Sequence, residues 1–257
     1  MAEEIFCTIQ DGIATVTLNR PEKRNALNTT VLAGLTRIFH DLETNTAVRV
    51  VIIRGEGKAF CSGLDLRELS SRQQEGGDPE TGVVAVFQQI ERSRHPTIAM
   101  VQGDALAGGC ELALHCDLRV ASETARFGMP LARLGLIVPF PLGHKLVEII
   151  GPAFTKQILF TGQPIDAQRA YEIGMIHQLV PTAELESATT ALARTIADNA
   201  PLSLAGMKAT ILRAISLRET IAHRDLDELV DRARKSADAQ EGIKAMLEKR
   251  KPVFRGV

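Results

Sequence analysis

Apolar residues fall in short clusters along the first half of the chain, separated by polar, glycine-punctuated connections. Two such runs, EIFCTIQ and IATVTLNR, flank Asp11-Gly12, a dipeptide suited to the positive φ angles of a tight turn, so the spacing predicts a β-hairpin. RPEKRNALN follows as a loop, and Asn28 or Thr29 caps a helix expected over Thr30 to Leu42. VRVVIIRG, Val48 to Gly55, is β-branched and closed by glycine, which reads as a buried strand. GEGKAFCSGLDL is a glycine-rich connection, and SSRQQEGGDPETG reads as a polar surface loop. A helix from Val83 to Arg92, a strand in PTIAMVQG, a short helix in GCELALHC and a strand in DLRVAS come next. Strands alternating with helices imply an α/β fold. From Pro152 onward the chain reads as helical, with Leu226, Leu229, Val230, Ala233 and Ala237 at helical spacing. The expected organisation is a core over residues 1–200 and a helical region over residues 201–257 that packs against another subunit.

Composition narrows the function classes. The 257 residues suffice for a large core without cross-links, and 45% hydrophobic with 24% charged residues is a soluble, globular balance. A net charge of −1 leaves no basic footprint, so no nucleic-acid partner is expected. The run GLIVPFPLG is short and broken by Pro139 and Pro141, far below the roughly 20 apolar residues of a membrane span. MAEEIFCTIQ lacks the basic start and apolar run of a signal peptide, so a cytoplasmic location is expected. Cys7, Cys61, Cys110 and Cys116 show no CxxC spacing and read as reduced thiols. The six histidines form no ligand motif, and no metal site is expected.

One acid stands out. In ALAGGCELAL, Glu111 lies among small and apolar residues, where a charge must be neutralised, paired or hydrogen-bonded. Two glycine-containing connections leave strands, Cys61-Ser62-Gly63-Leu64-Asp65 and Ala107-Gly108-Gly109-Cys110-Glu111. A helix starting after Gly108 offers unpaired N–H groups, and two amides aimed at one oxygen form an oxyanion hole. Glu111 in the first helical turn either complements the helix dipole, worth about 0.3–1 kcal/mol, or serves as a general base. Burial would raise its pKa and the dipole lower it.

The segments NRPEKRNALN, GKAFCSGLDL, GDALAGGCELALHCDLRVAS, FGMP, FTGQPIDAQRAYEIGMIHQLVP and LEKRKPVF occur in that order. Together they resemble the crotonase superfamily of enoyl-CoA hydratases and isomerases, over nearly the whole chain. The resemblance implies a spiral of ββα turns with C-terminal helices that trimerise, giving a homotrimer or a hexamer of two trimers. It implies an acyl-CoA substrate, with coenzyme A as part of that substrate and no separate cofactor. It places the oxyanion amides on Leu64 and Gly108 and a general base on Glu111. It assigns coenzyme A contacts to Lys23, Arg24, Ala26, Ser62, Asp65, Leu66 and Lys249, the last matching a phosphate-binding lysine.

The chain also departs from the family pattern. Family hydratases carry a second glutamate after the proline of FGxPE, and here FGMPL puts Leu131 in its place. The glycine-rich run that follows in hydratases is VPFPLG here, so Phe140, like Leu131, is expected to form a bulky apolar pocket wall. The reading is an acyl-CoA enzyme with one glutamate base. The alternatives are a thioester hydrolase and an acyl-CoA-binding protein with little catalysis. As second acids or bases, Asp117 and Asp65 read as structural, His144 as a helix-surface residue, and Tyr171 as packing on a helix.

Overall fold

Asp11 and Gly12 adopt the positive φ angles the hairpin needs, 51° and 77°. They join β1 (Ile5–Gln10) to β2 (Ile13–Leu18), antiparallel from Ile5 opposite Leu18 to Gln10 opposite Ile13. This computed structural model describes residues 3–68, 81–216 and 220–256. Asn28 rather than Thr29 caps α1 (Thr29–Glu43), its Oδ1 accepting the Val31 N–H at 2.9 Å. β3 (Val50–Gly55), α2 (Thr81–Arg92), β4 (Thr97–Val101), β5 (Asp104–Leu106), α3 (Gly108–Leu114), β6 (Leu118–Ser122) and β7 (Arg126–Gly128) follow. Thr81 and Gly82, expected in the polar loop, open α2, and the rest of that loop lies outside the described residues.

The main sheet has the order β1-β2-β3-β4-β6-β9, where β9 is Gln178–Val180, and every pairing after the hairpin is parallel. Both faces of a parallel sheet are covered, which explains the unbroken apolar run Val50 to Ile53. Val51 and Ile53 join the core beneath α1, α2 and α3, with Leu35, Phe39, Phe87 and Leu112. Val50 and Ile52 point the other way, onto Leu185 and Ala193 of the helix Leu185–Ala197. A second layer runs beside the sheet. β5 pairs with β7, and single-residue bridges link Cys61 to Ala105 and Leu27 to Leu64. Each turn of the chain thus adds one strand to the main sheet and one short segment to the second layer, which is the expected ββα spiral.

The second half departs from the sequence expectation in three places. Helix α4 (Phe140–Thr161) begins twelve residues before Pro152, with Pro141 in its first turn, where proline's missing N–H costs nothing. A non-helical Gly151 (φ 70°) breaks it just before Pro152. The stretch after it is not purely helical. β8 (Ile165–Asp166) pairs with β7, α5 (Ala167–Glu172) follows, and β9 extends the main sheet. Strands of two and three residues leave no periodic signal and form because a neighbouring edge is available. After α6 (Leu185–Ala197) and α7 (Pro201–Ile215), the apolar spacing read from Leu226 to Ala237 spans two helices. Ser236 (ψ 156°) separates α8 (Arg224–Lys235) from α9 (Ala237–Leu247) and caps α9 by accepting the Ala239 N–H at 3.0 Å. No helix of the described residues is long and apolar enough to cross a membrane.

Asp117 is structural, as expected. Its Oδ2 accepts the Thr97 N–H (2.7 Å), the Thr97 hydroxyl (2.9 Å) and the Lys208 ammonium (2.7 Å), tying the start of β4 to α7. Lys208 is buried. Replacing Asp117 with alanine leaves that ammonium uncompensated, and urea denaturation of Asp117→Ala is expected to show a loss of about 3 kcal/mol.

Candidate active site

The two glycine connections meet. Leu27 N–H donates to Gly63 C=O (2.8 Å) and Asp65 N–H to Leu27 C=O (2.9 Å). In this parallel bridge the bonds flank Leu64, so its own N–H points the other way, toward Ala107 and Gly108. On that side the backbones nearly touch. A methyl carbon on Gly63, which has φ 91°, would lie 2.9 Å from Gly108 N, and one on Gly109 would lie 2.0 Å from Cys61 O. Only glycine permits this approach.

Ala107 sets the second amide. Its φ of 49° with ψ of −123° turns the 107–108 peptide over while its own N–H donates to Gly128 C=O (2.8 Å). A non-glycine residue held there stores strain, about 1–3 kcal/mol for such conformations, and strain of this kind collects at functional sites. Gly108 opens α3, so its N–H has no acceptor within the helix. Leu64 and Gly108 therefore present two main-chain donors to one cavity.

Glu111 shares that cavity. Its side chain is fully buried, and neither carboxyl oxygen has a hydrogen-bond partner. Burial raises its pKa well above the ordinary carboxylate value, with the Lys145 ammonium pulling the other way. Desolvation thus favours the neutral acid form over the carboxylate. Lys145 is engaged elsewhere, with Glu91 (2.8 Å) and Glu148 (3.0 Å).

The rest of the cavity is apolar, lined by Leu66, Leu131, Leu134, Leu136, Leu142 and Met246 among others. Leu131 stands on the wall where expected. Phe140 does not: it lies in a neighbouring pocket, stacked on His223 at 4.8 Å between ring centres. The early start of α4 displaces it, leaving Pro139 and Leu142 on the catalytic side. His144 lines that neighbouring pocket too, and Tyr171 is half exposed rather than packed. Cys61 and Cys110 are buried in the core rather than on the cavity wall, and burial raises both thiols, Cys61 to about 12, so they stay protonated.

Of the residues expected to contact coenzyme A, Ser62 and Leu66 line the cavity beside Leu64. The loop carrying Lys23, Arg24 and Ala26 is hydrogen-bonded alongside, with Ser62 N–H on Arg24 C=O at 3.0 Å. Lys23 is exposed, while Arg24 pairs with Asp104. Ala26 is buried, its carbonyl accepting from Arg20 at 2.6 Å. Asp65 is occupied within its loop by Arg20 (3.2 Å) and the Arg67 N–H (3.2 Å). Lys249 sits on the turn after α9, its N–H bonded to the carbonyl of Met246, which lines the cavity. Met246 was not anticipated, since nothing in its own segment indicates which distant wall it completes. His115 was also missed. Its Nδ1 lies 3.7 Å from Glu111 Oε2, and the only signal in the sequence is its place four residues on, one turn along the same helix.

Two main-chain amides and a buried carboxyl group thus border one largely apolar cavity. The chain belongs to the enoyl-CoA hydratase/isomerase family, within the crotonase superfamily, and the family model matches residues 8–257. It is 34% identical over 242 residues to a short-chain-enoyl-CoA hydratase of Clostridium acetobutylicum, covering 93% of this chain and 92% of that one. It is 37% identical over 249 residues to the human mitochondrial enoyl-CoA hydratase domain-containing protein 3, covering 95% and 81%. Among solved structures it resembles methylmalonyl-CoA decarboxylase complexed with 2S-carboxypropyl-CoA, with a TM-score of 0.91, 30% identity and full coverage of both chains.

Two outcomes follow from the site. A methyl group on Gly108 would make ordinary contacts, 3.4 Å to Gly63 Cα and 3.6 Å to Leu64 N, yet would fill the space before the Leu64 amide. Gly108→Ala is expected to melt close to wild type and lose acyl-CoA turnover, whereas Gly109→Ala is expected to melt far lower. Glu111 stays protonated in the fold at pH values where the unfolded chain ionises it, so its burial costs stability as pH rises above the unfolded pKa. The stability advantage of Glu111→Gln over wild type should therefore grow by about 1.4 kcal/mol per pH unit from roughly pH 4.5 until the folded pKa is reached. Denaturant titrations at successive pH values measure it.

Proposed function

We propose that the protein is an enzyme acting on acyl-CoA thioesters, holding the thioester oxygen on the Leu64 and Gly108 amides and using Glu111 as its single proton-transfer group. The observation that carries this reading is the buried Glu111 carboxyl, without a hydrogen-bond partner, in the cavity bordered by Leu64 and Gly108. As a thioester enolate develops, charge collects on the oxygen between the donors, and one such donor is often worth about 2.7–4 kcal/mol. Lys23, Arg24 and Lys249 would meet the phosphates of coenzyme A, with Ser62 and Leu66 beside the pantetheine arm. The cavity, about 100 Å³, suits a short acyl group.

The family relatives support addition of water to a 2-enoyl thioester. Glu111 gives its proton to Cα, water supplies hydroxide to Cβ, and the remaining water proton returns to Glu111. Leu131 removes the second carboxylate that would activate that water. The same residue favours a second reading, decarboxylation of a 2-carboxyacyl-CoA. The apolar wall disfavours a carboxylate, carbon dioxide leaves without the bonding pair, and Glu111 protonates the resulting enolate at Cα. The structural likeness to a methylmalonyl-CoA decarboxylase supports it. Leu202, Met207 and Ile211, exposed on α7, support assembly into a trimer or hexamer through the C-terminal helices.

A mass-spectrometric panel of saturated, 2-enoyl-, 3-enoyl-, 3-hydroxy- and 2-carboxyacyl-CoA of graded length tests the reading. Gain of water, a shifted double bond or loss of carbon dioxide names the reaction, and Glu111→Gln is expected to lower its rate roughly 10²–10⁴-fold. Because burial raises the Glu111 pKa, turnover that needs its proton should fall as pH rises through that elevated pKa. Undiminished turnover in Glu111→Gln overturns the proposal, as does failure to bind any acyl-CoA.

A further inference from the structure

Glu111 is buried away from solvent, and a group that moves protons must exchange them. A second pocket, about 210 Å³, is lined by residues of α2 and α4, by His115 and by His223. Its walls include His115, which also approaches the Glu111 carboxyl. His115 Nδ1 lies 2.8 Å from the Glu111 backbone carbonyl. A carbonyl only accepts, so Nδ1 carries the ring proton in the resting arrangement. The same Nδ1 is 3.7 Å from Oε2, a small side-chain adjustment from hydrogen-bond distance. Phe87 packs on the ring at 5.4 Å and holds it between the two pockets.

We propose that His115 is a positioning residue for Glu111 and its proton connection to the second pocket. The inference rests on the reading of Glu111 as the proton-transfer group. When Glu111 protonates substrate carbon, its O–H bond breaks and a C–H bond forms, leaving a carboxylate. His115 Nε2 takes a proton from a hydronium ion or buffer acid in the second pocket, and the resulting imidazolium passes its Nδ1 proton to Oε2. One solvent proton has moved to Glu111, and His115 is left as the neutral Nε2–H tautomer; a ring rotation that turns Nδ1 toward the second pocket lets solvent restore the Nδ1–H form. A connection of this kind serves a site in which Leu131 replaces the second carboxylate. The titratable and charged groups around the route are Glu91 and Arg92 from α2, His144 from α4 and His223 before α8. Lys145 bridges Glu91 and Glu148 behind them.

The test follows the carbonyl stretch of protonated Glu111 by infrared spectroscopy after transfer to D₂O, with Glu111→Gln identifying the band. His115→Ala is expected to slow deuteration of this group roughly 10²-fold. Imidazole, entering through the second pocket, should restore the rate, whereas pyrrole, of the same shape but with no second nitrogen, should not. His115→Gln keeps a donor for the Glu111 carbonyl without a relay and is expected to be as slow as His115→Ala. Wild-type exchange rates in both variants overturn the inference, as does equal rescue by pyrrole. Deuteration at Cα of bound butyryl-CoA is followed in parallel. If wild type fails at Cα while the Glu111 band still depends on His115, the functional reading fails and the relay stands.

Discussion

The close approach of two backbone segments is the constraint on which the site depends. Residues 61–64 and 107–109 lie so near that a single methyl on Gly109 would overlap the Cys61 carbonyl. Everything chemical about the cavity follows from that contact. It lets Leu64 N–H and Gly108 N–H face the same space, and it makes α3 begin where its first amide is exposed to a ligand. Because both donors are main-chain, their direction is set by the sheet bridge at Leu27 and the turn at Ala107, with no side-chain rotamer to lose.

This arrangement is locally unfavourable. Ala107 sits in a strained conformation and Glu111 is buried without a hydrogen bond. Such features persist only where the surroundings over-determine them. Arg119 caps the far end of α3, its guanidinium donating to the Cys116 carbonyl (2.7 Å) and the Met175 carbonyl (2.6 Å). Asp117 ties the neighbouring strand to α7. The short helix is thus fixed at its C-terminal end by satisfied polar groups, which leaves its N-terminal end free to carry unsatisfied ones. The apolar wall from Leu131 to Leu142 borders the Glu111 carboxyl, whose burial raises its pKa.

Much was legible in the chain because it is encoded locally. The Asp11-Gly12 hairpin, the Asn28 cap and the buried strand Val50–Gly55 each arise from a few adjacent residues whose backbone preferences agree with the fold. The ordered motifs were sufficient for the family, and the spacing from Glu111 to Leu131 exposed the missing acid. Other expectations failed where they relied on neighbours remote in sequence. Phe140 was assigned to the wrong pocket because the start of α4 decides which of its first residues face Glu111. β8 and β9 were missed because two or three residues become a strand only beside an existing edge.

The sequence by itself determined the hairpin, the Asn28 cap, the buried strand and the candidate acid, which depend on residues within short windows, and its ordered motifs carried the resemblance that implied the family and its spiral. The tertiary structure decided the state and company of that acid. Burial raises the Glu111 pKa, and the cavity around it is completed by Leu131, Leu142 and Met246, all remote from it in sequence. His115 lies one turn away on the same helix, yet its spacing equally fits a core histidine. Only the packing of α2 and α4 around it opens a second pocket at its ring. Desolvation and proton access are properties of the assembled interior, where segments far apart in the chain set the dielectric and the path.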